Sequence, residues 1–251
     1  MKMMKRIMQR KTLAVFSGAA AFLFPGRAHA MHIAEGILPP AWAGFWFLVA
    51  LPFLALGMRE LRVRSGRDPR FKPLVGLVGA AVFVLSCMPI PVPIAGSCSH
   101  PCGTGLAAIL IGPGITVVVA SAALLLQALF LAHGGLSTLG GNVVSMGVAG
   151  AYLGAGAFFL ARKARIPWYA AAFLAGLASD WGTYATTSLE LSLALAGDGR
   201  AGSLFLPILA AFAPTQIPLG IFEGFLAAGA CRLIRARRPE LMSLSSEEEA
   251  A

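Results

Sequence analysis

The sequence predicts an all-α, polytopic membrane protein with about seven transmembrane segments. Hydrophobic residues make up 57% of the chain and charged residues only 12%, whereas soluble domains carry about a quarter charged residues. No Asp, Glu, Lys or Arg occurs from Pro73 to Ala161, and apolar stretches recur at lengths that suit membrane helices. We therefore expect one membrane domain, residues 31–238, followed by a cytoplasmic tail, residues 239–251.

Residues 1–30 have the three parts of a secretory signal peptide. A basic start is followed by an apolar run over residues 12–24, and the segment ends in the small-x-small sequence Ala28-His29-Ala30. The apolar run is shorter than the ~20 residues that a membrane-spanning helix needs. We expect cleavage after Ala30, which leaves the new amino terminus outside. The alternative is an uncleaved signal anchor.

Seven apolar segments follow, and we expect each of them to be helical. They are Trp42–Met58, Leu74–Met88, Gly103–Ile111, Ile115–His133, Val143–Ala161, Trp168–Ala194 and Leu204–Ile234. The third segment is too short to cross a bilayer alone, and Gly112-Pro113-Gly114 breaks the chain directly after it. We expect this segment to be short or buried in protein.

The basic clusters agree with this topology. With Met31 outside, seven segments place the carboxyl terminus in the cytoplasm. The Lys/Arg clusters at residues 59–72, 162–165 and 232–238 then all lie on the cytoplasmic side, and only Arg200 lies outside. We expect a multi-pass protein of the bacterial inner membrane, surrounded by lipid and without a nucleic-acid partner.

Cleavage after Ala30 creates a metal chelate at the new amino terminus. Met31 offers its free amine, and His32 offers its deprotonated amide nitrogen and imidazole Nδ1, which together close a five-membered and a six-membered ring. His100, in the outward loop 88–102, is the best donor of a fourth nitrogen in the same plane. Such a planar set suits Ni(II), Cu(II) or low-spin cobalt better than zinc, which prefers a tetrahedron.

Other polar residues near this predicted site receive supporting roles. His133 ends the fourth segment at the outer face, and we expect it to hydrogen-bond to the ligands because the planar set is already filled. Glu35 is expected to orient the chelate or balance its charge, with helix capping or a surface role as the alternative. Cys102 is expected to pack as a small apolar residue. A disulfide with Cys98 and soft metal ligation are its alternatives.

Three acidic residues lie in or near the membrane segments. Charge is costly there and usually faces the protein interior, so we expect Asp180, Glu190 and Glu223 to bind neighbouring helices or partner subunits and not the metal. A series of small residues in the fifth segment permits close helix packing, within the domain or against a partner. The series is Gly147, Gly150 and Gly154.

Five stretches distributed through the chain carry a resemblance to a known family. They read MHIAEGILP (31–39), GSCSHPCGTGL (96–106), LAHGGL (131–136), TYATTS (183–188) and TQIP (215–218). In these stretches the chain resembles CbiM/NikM, the membrane subunits of energy-coupling factor transporters for cobalt and nickel, and is most similar to the cobalt members. The resemblance implies that the mature amino terminus folds into the membrane core, where Met31, His32 and His100 hold the metal. Cys102 departs from the threonine common at its position.

The resemblance also implies a function and partners. It predicts a seven-helix substrate-binding subunit that works with a transmembrane coupling subunit, two ATP-binding subunits and a small accessory membrane protein. No G-x-x-x-x-G-K-[ST] motif occurs in this chain, so we expect ATP hydrolysis in the partners and no enzymatic activity here. The expected substrate is Co(II), for cobalamin biosynthesis, with Ni(II) as the alternative. No permanently bound cofactor is expected.

Two functions from other classes use similar residues. An intramembrane metalloenzyme needs an open coordination position and a general base, and a filled planar set leaves no such position. A thiol oxidoreductase would use Cys98 and Cys102, but their C-x-x-x-C spacing differs from the usual C-x-x-C. Transport is therefore the favoured function.

Overall fold

Seven helices form the described part of the chain in the computed structural model, which covers residues 29–30, 32–88, 90–92, 97–196, 202–239 and 241. They are α1 Pro40–Arg67, α2 Phe71–Ser86, α3 Thr104–Ile111, α4 Pro113–Phe130, α5 Leu139–Lys163, α6 Trp168–Leu195 and α7 Phe205–Arg237. Each helix corresponds to one predicted segment, so the predicted helical membrane fold is confirmed. Most of the predicted signal peptide and tail lies outside the described residues, as does Met31.

Four of the described helices, α1, α4, α5 and α7, are long and apolar enough to cross a membrane. The helix α2 is apolar but has only 16 residues, and the 28 residues of α6 include Asp180 and Glu190. The number of crossings and their orientation stay predictions.

The exposed surface has the composition that lipid requires. Large apolar side chains such as Leu48, Phe130 and Leu160 are 69%, 76% and 70% exposed, while Gln127 and Glu223 are buried. An apolar surface of this extent is unfavourable in water. In a bilayer it costs little, because lipid tails are themselves apolar.

The short helix α3 lies inside the domain, and all of its residues are buried. Gly103 precedes it with a φ of +70°, and Gly112 follows it with a φ of +86°, a backbone region that favours glycine. Pro113 then opens α4 at a position where the missing N–H has no helical partner to lose. The prediction that this segment is short and buried in protein is confirmed.

Glycines allow α3, α5 and α6 to pack closely. A Cβ atom added at Gly105 would lie 2.6 Å from the carbonyl oxygen of Ala175 in α6, and one added at Gly154 would lie 3.0 Å from the Cα of Gly105. Small residues permit such backbone approach between membrane helices. The glycine series of α5 therefore serves packing within this domain at Gly154.

Three short strands form a small sheet with the order β1-β3-β2, where the sequence predicted only a stiff loop. They are β1 His29–Ala30, β2 Ile90–Val92 and β3 Ser97–Ser99. The strands β2 and β3 are antiparallel, while β1 runs parallel to β3 with His29 opposite Ser97. Continued along the chain, this register aligns residue 32 with residue 100. The parallel pairing thus directs two predicted ligands towards each other.

Candidate metal centre

Three histidines from distant parts of the chain meet in one cluster, which we call the histidine centre. His32 precedes α1, His100 lies between β3 and α3, and His133 follows α4. The ring centroids are separated by 4.5 Å for His32 and His100, 4.9 Å for His32 and His133, and 5.2 Å for His100 and His133. One ring nitrogen from each lies within 4.8 Å of the other two. Since metals bind imidazole nitrogen at about 2.0–2.1 Å, small movements would bring all three onto one ion.

The backbone next to His32 is held by the start of α5. The amide nitrogen of Ile33 donates to Oδ1 of Asn142 at 2.7 Å, and the Ile33 carbonyl accepts from Nδ2 of Asn142 at 3.1 Å. The hydroxyl of Thr138 donates to the same carbonyl at 2.6 Å. These three bonds fix the segment that carries His32, so the ring enters the cluster from a rigid backbone.

A chain of hydrogen bonds determines which nitrogen of His32 is free for a metal. The Ser86 hydroxyl donates to the carbonyl of Val82, and it accepts from Nε2 of Gln127 at 2.6 Å. The Oε1 atom of Gln127 therefore faces Nε2 of His32, at 3.2 Å. Because this oxygen can only accept, Nε2 of His32 carries the proton and Nδ1 keeps its lone pair. This is the nitrogen that the predicted chelate needs.

His100 presents its other nitrogen to the cluster. Its Nδ1 atom lies 3.1 Å from the carbonyl oxygen of Pro101, which can only accept, so Nδ1 carries the proton. The Nε2 atom is buried and has no hydrogen-bond partner in the described part of the chain. A buried acceptor without a partner is unfavourable, and a metal ion at this position would satisfy it.

His133 reaches the cluster through a turn at the end of α4. Ala132 has a φ of +48°, and the amide nitrogen of His133 donates to the carbonyl of Gln127 at 3.3 Å. The Nε2 atom of His133 is buried and lacks a hydrogen-bond partner among the described residues. Its ring stands nearly perpendicular to that of His32, at 85°. His133 is thus as close to the cluster as the two predicted histidine ligands.

Burial keeps the three imidazoles neutral. The pKa of His32 lies well below its ordinary value because of burial and then because of the neighbouring His100 and His133. Burial, with a smaller effect of His133, lowers the pKa of His100 to about 3, and burial also lowers the pKa of His133. Neutral imidazole is the form that binds metal, so the centre is ready to accept a cation.

Glu35 connects two of the loops that surround the centre. Its Oε2 atom accepts from the amide nitrogen of Ser137 at 3.1 Å, and hydrogen bonds from Ser137 lower the pKa of Glu35. The loop between α4 and α5 that contains Ser137 also carries His133. Glu35 therefore links the chain around His32 to the chain around His133 from an exposed position, and its orienting role stays a prediction.

Cys102 is buried and is a free cysteine, which suits both its expected packing role and the alternative of soft metal ligation. The side chain of Cys98 lies outside the described residues. Asp180 and Glu223 stand apart from the histidine centre, but they form a second buried cluster together with Cys102. Sequence reasoning did not predict this meeting.

Gln127 was also missed as a member of the site. It is the only amide side chain in the apolar sequence of α4, and it lies six residues before His133. An isolated amide in a membrane helix requires hydrogen-bond partners within the protein. This requirement is the sequence signal that could have identified Gln127 as part of a buried polar site.

Comparisons with known proteins agree with this architecture. A family profile for CbiM, described as the cobalt uptake substrate-specific transmembrane region, matches residues 32–241. The chain is 58% identical over 212 residues to the cobalt transport protein CbiM of Sorangium cellulosum, covering 84% of this chain and 94% of that one. It is 57% identical over 238 residues to the protein of the same name in Geobacter sulfurreducens, covering 94% of this chain and 69% of that one.

Two solved structures have the same fold. A transition metal transporter matches with a TM-score of 0.74 at 21% identity, over 88% of this chain and all of that one. A truncated transition metal transporter matches with a TM-score of 0.71 at 22% identity, over 81% of this chain and 97% of that one.

Proposed function

The chain belongs to the CbiM family and is a transmembrane component of cobalt uptake, and we propose that its histidine centre captures the Co(II) substrate. The observation that carries this proposal is the meeting of three neutral imidazoles, of which His32 and His100 are buried and His133 is half-buried. Nitrogen donors of this kind suit divalent ions of the late first row. The relatives are named as transport proteins, and the chain is accordingly a transport component and not an enzyme.

We assign the four in-plane nitrogens to the amine of Met31, the amide and Nδ1 of His32, and Nε2 of His100. The tautomer of His32 supports the use of Nδ1, since Nε2 is occupied by Gln127. His32 supplies both its amide nitrogen and Nδ1 to the plane of four nitrogens. Its imidazole ring must therefore lie close to that plane. Because these four nitrogens fill the plane, we assign His133, whose ring stands at 85° to that of His32, a supporting role next to the ligands.

Processing of the amino terminus is the step that completes the proposed site. An amine nitrogen at Met31 exists only after cleavage behind Ala30, because in the precursor the same atom belongs to a peptide bond. Cleavage also removes β1 from the sheet. We propose that capture of Co(II) begins with this processed, exported amino terminus on the outer face of the inner membrane.

We infer that the energy for uptake comes from separate subunits. The chain has no phosphate-binding G-x-x-x-x-G-K-[ST] motif, and its resemblance to energy-coupling factor transporters implies a transmembrane coupling subunit, two ATP-binding subunits and a small accessory membrane protein. Delivery of cobalt for cobalamin biosynthesis is part of the same proposal. Ni(II) favours the same planar geometry and is the alternative substrate.

The decisive test changes the amino terminus by one residue. A chain with a single glycine fused before Met31 moves the amine out of the five-membered ring, so stoichiometric Co(II) binding should be lost while the helices stay folded. Ala30→Pro, which blocks cleavage, should have the same effect. The control is the unmodified chain with its processed terminus identified by mass spectrometry. Full Co(II) binding by a precursor shown to be uncleaved would refute the chelate.

A further inference from the structure

We propose that Cys102, Asp180 and Glu223 form a second cation site, within the helix bundle, through which the divalent metal passes after the histidine centre. This inference rests on the proposed capture function. One donor atom from each residue lies within 4.8 Å of the other two, and all three residues are buried.

The spacing of the donor atoms fits a metal site that closes on its ion. Thiolate sulfur binds a transition metal at about 2.3 Å and carboxylate oxygen at about 2.0–2.2 Å. Two donors on opposite sides of an ion are therefore separated by at most about 4.5 Å. The separations in the cluster, at most 4.8 Å, exceed this limit by no more than a few tenths of an ångström, so a small closure would bring the three donors onto one ion.

Backbone amides satisfy both carboxylate oxygens of Glu223, whereas Asp180 has no hydrogen-bond partner among the described residues. The two carboxylate oxygens of Glu223 accept from the amide nitrogens of Cys102 and Gly103, at 2.7 Å and 2.8 Å, and so stabilise the chain before α3. Neither oxygen of Asp180 has a hydrogen-bond partner among the described residues, although its exposure is 0%. A buried carboxylate in a membrane domain requires a compensating partner.

Charge balance indicates that the missing partner is a cation. The ion pairs within the described ranges are Arg64 with Glu60 and Arg70 with Asp68, so no Lys or Arg side chain there forms an ion pair with Asp180 or Glu223. A divalent ion would supply this charge. Cys102 is a free cysteine, and on coordination it would release its proton and bind as thiolate.

The position of the cluster suits a site on a path through the membrane. Asp180 is residue 13 of the 28 in α6, about 18 Å from the start of that helix at 1.5 Å per residue. Glu223 is residue 19 of the 33 in α7. Cys102 follows the proposed ligand His100 by two residues, a span of at most about 7 Å. The metal would therefore move from loops at the helix ends to the middle of two helices.

Further polar groups flank the cluster in α3 and α6. The hydroxyl of Thr104 lies 2.8 Å from that of Ser179, and the hydroxyl of Thr183 bonds the carbonyl of Ser179 at 2.8 Å. This second site would bind the metal through sulfur and oxygen donors, whereas the histidine centre would bind it through nitrogen donors. Successive sites of moderate affinity favour passage, because each must release the ion again.

The test is an optical titration with Co(II) of the chain expressed from Met1 and purified from membranes in detergent. The first equivalent should fill the histidine centre. The second should add a near-ultraviolet thiolate-to-cobalt charge-transfer band, which nitrogen and oxygen ligands do not produce. Cys102→Ser should remove this band. Asp180→Asn preserves the shape of the side chain and should lower the affinity for the second equivalent of Co(II) by more than about tenfold. A direct ligand contributes at least as much to metal affinity as a residue that only hydrogen-bonds to a ligand.

Two other cysteines provide matched controls. Cys231 is buried and free in α7, and Cys98 lies near His100 in sequence, so Cys231→Ser and Cys98→Ser should both keep the band. A band that survives in Cys102→Ser, or a second equivalent that binds Asp180→Asn at full strength, would overturn the second site. If His100→Ala binds the first equivalent as tightly as the unmodified chain, the capture proposal fails instead. The two failures are therefore distinguishable.

Discussion

Replacement of Gln127 by leucine tests whether metal capture depends on the hydrogen bond that orients His32. Gln127 is fully buried and connects Nε2 of His32 to the hydroxyl of Ser86. Leucine has a similar volume but neither donates nor accepts, so Nε2–H of His32 loses its acceptor. Ser86 still donates to the carbonyl of Val82. We expect the helices to stay folded and the Co(II) affinity to fall.

Two independent arguments give the same magnitude for this loss. Removal of an outer hydrogen-bond partner from a metal-bound histidine lowers metal affinity about 10- to 100-fold, which corresponds to about 1.4–2.7 kcal/mol. A buried donor left without an acceptor costs about 1–3 kcal/mol, and this cost falls on the metal-bound state because coordination through Nδ1 keeps the proton of His32 on Nε2. The hydrogen bond at 3.2 Å between Gln127 and His32 therefore accounts for the expected effect by itself.

The assay is competition for Co(II) against a chelator of known affinity. Gln127→Glu should retain most of the affinity, since a carboxylate accepts from the same Nε2–H and its charge is favoured by the bound ion. Ser121→Ala is the matched control in α4, because the hydroxyl of Ser121 donates to the carbonyl of Val117 in its own helix. Unchanged affinity in Gln127→Leu, or equal losses in all three variants, would refute the orienting role.

Three further predictions concern the ligands, the pH dependence and the packing. Cobalt analysis of purified proteins should show that His100→Ala loses more metal than His133→Ala, and equal mild losses would contradict the ligand assignment. Since the pKa of His100 is lowered to about 3, its contribution to thermal stability in the metal-free protein should be constant above about pH 6.5. That contribution should be lost as the pH falls from 6.5 towards 3, because the unfolded imidazole binds the proton more tightly. In His100→Ala the loss of thermal stability with falling pH should be smaller. A stability profile identical to that of the unmodified protein would contradict this prediction. Gly105→Val should prevent assembly of the bundle because the new Cβ would lie 2.6 Å from the Ala175 oxygen, whereas Gly156→Val, with nothing within 4 Å of its Cβ, should elute as a single species in detergent.

The sequence by itself determined the membrane fold and the order of its helices. The absence of charge between Pro73 and Ala161 is a property of composition, and lipid is the environment that such a segment requires. The break at Gly112-Pro113-Gly114 is equally local, because it depends on backbone conformations that glycine and proline impose. The Met31-His32 chelate is also readable from sequence, since its rings form between adjacent residues.

Only the tertiary structure decided which distant side chains meet. His133 reaches His32 and His100 through a left-handed turn after α4, and no pattern in the neighbouring sequence specifies that direction. Cys102 and Glu223 are separated by 121 residues, yet the amide of one bonds the carboxylate of the other. Local patterns set the period and ends of each helix, whereas the contacts between helices depend on which faces pack together. Cys102 lies just before α3 and Asp180 lies in α6, so their meeting depends on the close packing of these two helices.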